Sequence, residues 1–266
     1  MTISVEDQPG PQAPTLARVL TGLRWIPNRD TLAALASYLL VVAGLYTAFQ
    51  VFTTERVAAN FLTFAPITLG LMGVAAPALY TTLARRRPLE DLGITARSLL
   101  PSLGLSLLLG WDTYRHTLAT LEITSGRNLV PLIALALTVG LFEAIFFRGW
   151  LQLRLEDAFG AVPGLVLAAL AYSLYHIGYG MEAGELVFLF FLGITFGAMF
   201  RLTKSVFVLW PLYTPVGGLF TNLNEGLSMP FEATYGFVLT LALMLGVLVL
   251  ASRLGARRSA MVRPTP

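Results

Sequence analysis

An all-α fold, a polytopic membrane bundle of about eight transmembrane helices, is what this sequence predicts, and three observations predict it. Of 266 residues, 56% are hydrophobic and only 12% charged, with a mean hydropathy of +0.71. A soluble domain of this length could bury a good core but could not hide so much apolar surface. Apolar runs of about 18 or more residues recur along the chain, and such runs read as membrane helices. The basic residues fall in short loops between the runs, biased to one side, as the positive-inside rule requires. The net charge of +3 and the pI near 9.4 are therefore loop charge beside a membrane, and no nucleic-acid partner is expected.

Residues 1–30 carry Pro9, Pro11, Pro14 and Pro27 without an apolar run. They read as a disordered cytoplasmic tail and not as a cleavable signal, which needs an apolar stretch behind its positive end. The eight-helix domain is expected over 31–252, with spans at 31–52, 61–84, 98–111, 129–152, 162–177, 185–201, 205–223 and 231–252. A basic cytoplasmic tail, 253–266, follows.

Each span has a local reason. Asp30 and Asn60 precede the first two and are candidate N-caps. Arg85-Arg86-Arg87-Pro88 stops the second, because proline disfavours helix at the residue before it. The third is short and would tilt little or extend into the next loop. Trp25, Trp111 and Tyr114 lie near expected interfaces, where aromatic side chains anchor. The fourth is expected to continue past the membrane surface to about Asp157. Gly160, Pro163 and Gly164 mark the turn to the fifth. Gly193-x-x-x-Gly197 in the sixth is a small-xxx-small pattern that permits close helix packing. Two prolines and two glycines between Trp210 and Gly218 imply that the seventh is broken. Irregular backbone at membrane depth is tolerated where it is buried in protein or lines a wet cavity.

With the N-terminus inside, 15 of the 18 basic residues fall on the cytoplasmic side, and only Arg56, Arg115 and Arg127 fall outside. That asymmetry supports an even number of spans with N- and C-termini cytoplasmic, in a multi-pass protein of the cell (plasma or inner) membrane. The chain has no cysteine, which excludes disulfides, Cys-ligated zinc and a thiol nucleophile. Its two histidines are His116 and His176.

Glu143 stands inside the apolar fourth span, where an acidic residue costs roughly 2.5–3.5 kcal/mol on insertion scales and is functional by default. His176 stands in the fifth. Both lie roughly 25 Å of helix from the Gly160 turn, and Glu143 lies about 16 Å above Arg154, near mid-bilayer. An antiparallel hairpin therefore brings one carboxylate and one imidazole to one level. Such a pair can share a proton, hold a water and activate it for attack on a carbonyl. The plain alternative is an interhelical hydrogen bond that only holds the hairpin together. A divalent metal would be ligand-poor here, because a catalytic zinc wants three protein ligands, and no cofactor is expected. Arg148 follows Glu143 by five residues, about 500° of helix rotation, so the two are not stacked neighbours. It reads as snorkelling to the interface or meeting substrate.

Glu143-Ala144-Ile145-Phe146-Phe147-Arg148-Gly149 resembles the Glu-Glu-x-x-Phe-Arg-Gly first motif of the CPBP family, the CAAX-processing and bacteriocin-processing intramembrane peptidases. Tyr172-Ser173-Leu174-Tyr175-His176 is similar to that family's second motif, an aromatic followed four residues later by His. Gly193-x-x-x-Gly197 and then Arg201-Leu202-Thr203-Lys204-Ser205 resemble the approach to the third motif, His-x-x-x-Asn. The likeness covers about Leu129 to Asn222. It implies a peptidase in which Glu143 is the general base, His176 is its partner, and third-motif groups stabilise the oxyanion. The chain departs from the family at Ala144, where a second Glu is expected, and at Tyr213 and Gly217, where the third-motif His and Asn are expected. Tyr213 has a hydroxyl to donate and could substitute. The candidate catalytic residues are thus Glu143, His176, Tyr213 and Arg148. The expected partners are the lipid membrane and a peptide or lipidated protein substrate within the bilayer. The departures motivate an alternative, a catalytically impaired pseudoprotease kept as a membrane scaffold, immunity or chaperone protein.

Overall fold

The computed structural model describes residues 22–52, 56–120 and 129–262, and no strand occurs among them. Eight helices follow one another: α1 (Arg29–Val51), α2 (Val57–Ala84), α3 (Leu99–Thr120), α4 (Leu129–Phe159), α5 (Ala161–Tyr175), α6 (Ala183–Thr203), α7 (Tyr213–Asn224) and α8 (Ala233–Val262). Six are long and apolar enough to cross a membrane. The apolar part of α3, Leu99–Asp112, is shorter, and α7 has only 12 residues. This is a multi-pass membrane protein with an all-helical bundle.

α1 starts at a cap, though not the expected one. The Asn28 side-chain oxygen accepts from the amides of Asp30 at 2.8 Å and Thr31 at 3.1 Å, and Thr31 Oγ1 accepts from the Asn28 amide in return. Asp30 instead turns sideways, only 5% exposed, to Arg85 at 2.9 Å, Arg87 at 3.7 Å and the Tyr80 hydroxyl at 2.9 Å. It fastens the start of α1 to the end of α2, which stops at Ala84 before the arginine run as expected. Asn60 is not a cap either, for its side-chain amide donates to the Ala48 carbonyl at 2.7 Å and ties α2 back to α1.

α4 is the axis of the bundle. In its apolar window 61% of residues are buried, against 22–50% in the other five long helices. Phe142, Ile145, Phe146, Phe147 and Leu151 are all fully enclosed. Gly149 lets the turn Leu89–Leu92 lie against the helix, since a Cβ there would come within 2.2 Å of the Leu92 carbonyl oxygen. α4 runs unbroken past the arginine at 154 to Phe159, as expected, and reverses at Gly160, whose φ is +98°. Residues 22–28, read from the sequence as tail, dock on that reversal. The Arg24 and Ile26 amides donate to the Phe159 and Ala158 carbonyls, and Trp25 packs 5.0 Å from the Phe159 ring. The rest of the N-terminal tail, 1–21, lies outside the described residues.

α3 extends into the loop beyond Trp111, the second of the two outcomes considered for a short third span. α6 approaches α5 closely at Gly193, where a Cβ would stand 3.1 Å from the Ala169 backbone. The seventh span is broken, but mostly ahead of the stretch from Trp210 to Gly218 expected to break it, for Pro215, Gly217 and Gly218 lie inside α7. After α6 comes a single tight turn, Val206–Val208, then irregular backbone over 209–212, and helix resumes only at Tyr213. The Val206 amide donates to the Gly93 carbonyl, and the Trp210 indole donates to the Leu137 carbonyl at 3.0 Å. α8 does not end at Ser252 but continues through Val262, with no proline in that basic stretch to stop it. Residues 263–266 of the expected tail lie outside the described residues. Ion pairs join Asp30 to Arg85 and Arg87, Arg87 to Asp91, and Arg201 to Glu156. They tie the start of α1, the end of α2, the foot of α4 and the end of α6, so the charges gather at one end of the bundle.

Candidate active site

Glu143 sits where α4 changes winding. From Ala144 to Gln152 the backbone bonds run i→i+5, a wider turn of a kind often found at functional sites. Of the residues from Leu141 to Gln152, only Glu143 keeps partial exposure.

Two tyrosines of α5 face that carboxylate. The Tyr175 hydroxyl donates to Oε1, and the Tyr172 hydroxyl donates to Oε2 at 3.5 Å. His176 follows Tyr175 and opens a tight turn, His176–Tyr179. Its Nδ1 lies 2.8 Å from the Tyr172 carbonyl. A carbonyl can only accept, so in the neutral ring Nδ1 holds the proton and Nε2 keeps its lone pair. The imidazole is enclosed by rings, with centroids 4.0 Å from Tyr175, 5.1 Å from Tyr172 and 5.7 Å from Tyr179. No hydrogen bond joins Glu143 directly to His176, but they share Tyr172 and Tyr175 as neighbours. The hairpin therefore brings the two to one level.

Arg148 does not snorkel. It is 1% exposed, and its guanidinium lies 4.9 Å from the Tyr172 ring centre and 5.9 Å from that of Phe196. The sequence reading assumed α-helical rotation. A turn closed by i→i+5 bonds instead brings residues five apart toward one face, so Glu143 and Arg148 both meet Tyr172. Both terminal nitrogens of Arg148 are buried without a hydrogen-bond partner.

Tyr213 is 6% exposed and belongs to the same aromatic network at one remove. Its ring is 5.7 Å from Phe196, which is 6.0 Å from Tyr172. Its amide donates to Ser106 Oγ, and its carbonyl accepts from the Tyr114 hydroxyl at 3.1 Å. Tyr114 is thus half-buried, with its hydroxyl turned onto α7. Gly217 makes room for it, since a Cβ at 217 would stand 2.3 Å from the Tyr114 hydroxyl oxygen.

Tyr172 and Tyr175 stand in the second motif, which by itself assigns neither a role. The available signal was a polar aromatic stripe on one helix face, Tyr172, Tyr175, His176 and Tyr179, at i, i+3, i+4 and i+7. The motifs likewise assign no role to Gln152 and Glu156, which continue the Arg148 face toward the charged end. Among the described residues, no group of three or more His, Cys, Asp or Glu is placed to hold a metal ion.

Residues 125–214 match a family model described as type II CAAX prenyl endopeptidase Rce1-like. The match spans about a third of the chain and contains Glu143, Arg148, Tyr172, His176 and Tyr213. It bears out the resemblance to the CPBP intramembrane peptidases drawn from the motifs. No curated protein and no solved structure matches the chain.

Proposed function

We propose that this chain, a CAAX protease-like protein by its family match, is an intramembrane endopeptidase of the cell membrane. It hydrolyses a peptide bond of a membrane-associated or lipidated substrate with water activated by Glu143 and His176. The observation that carries this reading is the setting of Glu143: a carboxylate within an enclosed stretch of apolar helix, gripped by two tyrosine hydroxyls beside an imidazole.

In this scheme Glu143 takes a proton from a water as its oxygen attacks the substrate carbonyl. Tyr175 and Tyr172 fix the direction in which the carboxylate faces. His176 Nε2 accepts a hydrogen bond from the same water, and the proton passes to the leaving amine as the tetrahedral intermediate collapses. A donor for the oxyanion comes from the Tyr213 hydroxyl; such a donor is worth about 2.7–4 kcal/mol in a dry site. Arg148 keeps a positive charge over Tyr172, next to the carboxylate.

The test is cleavage of a lipidated peptide by purified protein in liposomes. The wild type should cut it, Glu143→Gln should not, and both should unfold at the same temperature. Wild-type cleavage by Glu143→Gln would overturn the assignment.

A second reading, a pseudoprotease serving as scaffold, immunity or chaperone protein, is favoured by one observation. The place of the third-motif Asn is filled by Tyr114 packed on Gly217. On this reading the native chain does not cleave. Restoration by Ala144→Glu, Tyr213→His and Gly217→Asn would then also require Tyr114→Ala to clear the space.

A further inference from the structure

Below Glu143 the α4 face continues as Arg148, Gln152 and Glu156, spaced by four residues and leading to the charged end of the bundle. The lower part is well bonded. Gln152 Nε2 donates to Glu156 Oε1 at 2.8 Å and to the Gly197 carbonyl at 3.1 Å, and Arg201 donates to Glu156 Oε2 at 2.6 Å. Arg201 is 42% exposed, so this end touches the aqueous face.

The middle is not. Gln152 Oε1 and both terminal nitrogens of Arg148 are fully buried and have no partner. Buried polar groups are nearly always paired, by protein or by ordered water, and an orphaned charge is among the costliest things a fold can hold. Two of these orphans lie beside Gly197. The position that a Cβ on Gly197 would take lies 3.0 Å from Gln152 Oε1 and 3.5 Å from Arg148 Nη1. One atom group has donors to give there and the other has a lone pair to accept, which is the set a bridging water needs. A side chain at 197 would crowd both atoms, and glycine there keeps it away from them.

We propose that a buried water bridges Arg148 and Gln152 beside Gly197, where glycine keeps a side chain off both groups, and that this site is a step in a polar path from the Arg201–Glu156 pair to Glu143. Its ligand is water. The path runs Arg201, Glu156, Gln152, the bridging water and Arg148, which lies over the ring face of Tyr172; the Tyr172 hydroxyl then meets the Glu143 carboxylate. A hydrolase whose base lies at mid-membrane consumes one water per bond cut, and this stripe is a way to resupply it. The claim about delivery rests on the reading of Glu143 as a water-activating base; the hydration site itself does not.

Two measurements test it. The first is an experimental structure at a resolution that shows ordered water. It should place a water within hydrogen-bond distance of both Gln152 Oε1 and an Arg148 terminal nitrogen; a dry contact there overturns the proposal, whether or not the protein is an enzyme. The second compares Gly197→Ala with Gly197→Ser in the liposome cleavage assay. Both add the same Cβ, against the flexible ends of Gln152, Leu165 and Arg148, but only serine brings a hydroxyl to replace the water. Alanine should slow turnover by about tenfold or more, the scale of a lost hydrogen bond to a charged group, while serine stays within about threefold of wild type. Equal loss in both variants means crowding alone, and no loss in either means that the path is not used; each overturns the delivery claim. A wild type that does not cleave would instead count against the peptidase reading, and the structure would still decide the hydration site.

Discussion

Replacing Tyr175 by phenylalanine removes one oxygen atom from the site and leaves almost everything else in place. The ring is fully buried and packs on Phe147 at 4.6 Å and His176 at 4.0 Å, contacts that phenylalanine keeps. What is lost is the hydroxyl that donates to Glu143 Oε1. A hydrogen bond to a charged group contributes about 1.5–3 kcal/mol. If the bond holds the carboxylate at its working angle in the transition state, kcat should fall about 10- to 100-fold, at tenfold per 1.4 kcal/mol. KM should change little, because the hydroxyl faces the base and not the substrate. Tyr172→Phe removes the longer contact, 3.5 Å to Oε2, and should slow turnover less. Steady-state cleavage of a lipidated reporter peptide in liposomes, with thermal unfolding as a control on folding, measures both. A Tyr175→Phe protein with wild-type kcat, or one less affected than Tyr172→Phe, would refute the role given to this hydroxyl.

Three stability predictions follow from other contacts. Gly149→Ala should lower unfolding stability by about 1–3 kcal/mol or more, because its Cβ meets the Leu92 carbonyl at 2.2 Å and backbone must move; an unchanged unfolding temperature would contradict the packing of α4 on the turn 89–92. Asp30→Ala should cost about 1–3 kcal/mol, mostly from stranding the Tyr80 hydroxyl, since both arginine partners are about 40% exposed and contribute little. A fall in that loss on adding Tyr80→Phe in a double-mutant cycle would confirm the coupling. Gly217→Asn should destabilise by about 1–3 kcal/mol through collision with Tyr114, and Tyr114→Ala should recover much of it; additive losses would mean that the two do not compete for one space.

The helices and their order were legible because apolar run length and charge bias depend only on neighbours in sequence. The level match of Glu143 and His176 could be counted from the Gly160 turn, since helix rise is nearly constant. A break in the seventh span was legible from Pro211, but Pro215, Gly217 and Gly218, counted toward the same break, are carried inside α7, which tolerates a proline in its first turn. What escaped depends on choices the sequence leaves open. Asp30 and Asn28 are equally good capping residues, and only the path of the chain into α1 decided for Asn28. Arg148 looked like a snorkelling residue because the count assumed α-helical turns, and the wider winding from Ala144 onward is set by packing around it. The partnership of Tyr114 with Gly217 and Tyr213 joins positions about a hundred residues apart, which local pattern cannot pair.

The central claim is that Glu143 and His176 act on one water. Turnover should be measured for Glu143→Gln, His176→Gln and the double variant, with folding checked in each. If both groups serve a single event, the double variant is no slower than the slower single variant, because removing either already disables the unit. If the two losses multiply, the residues work independently, and the shared-water account is wrong.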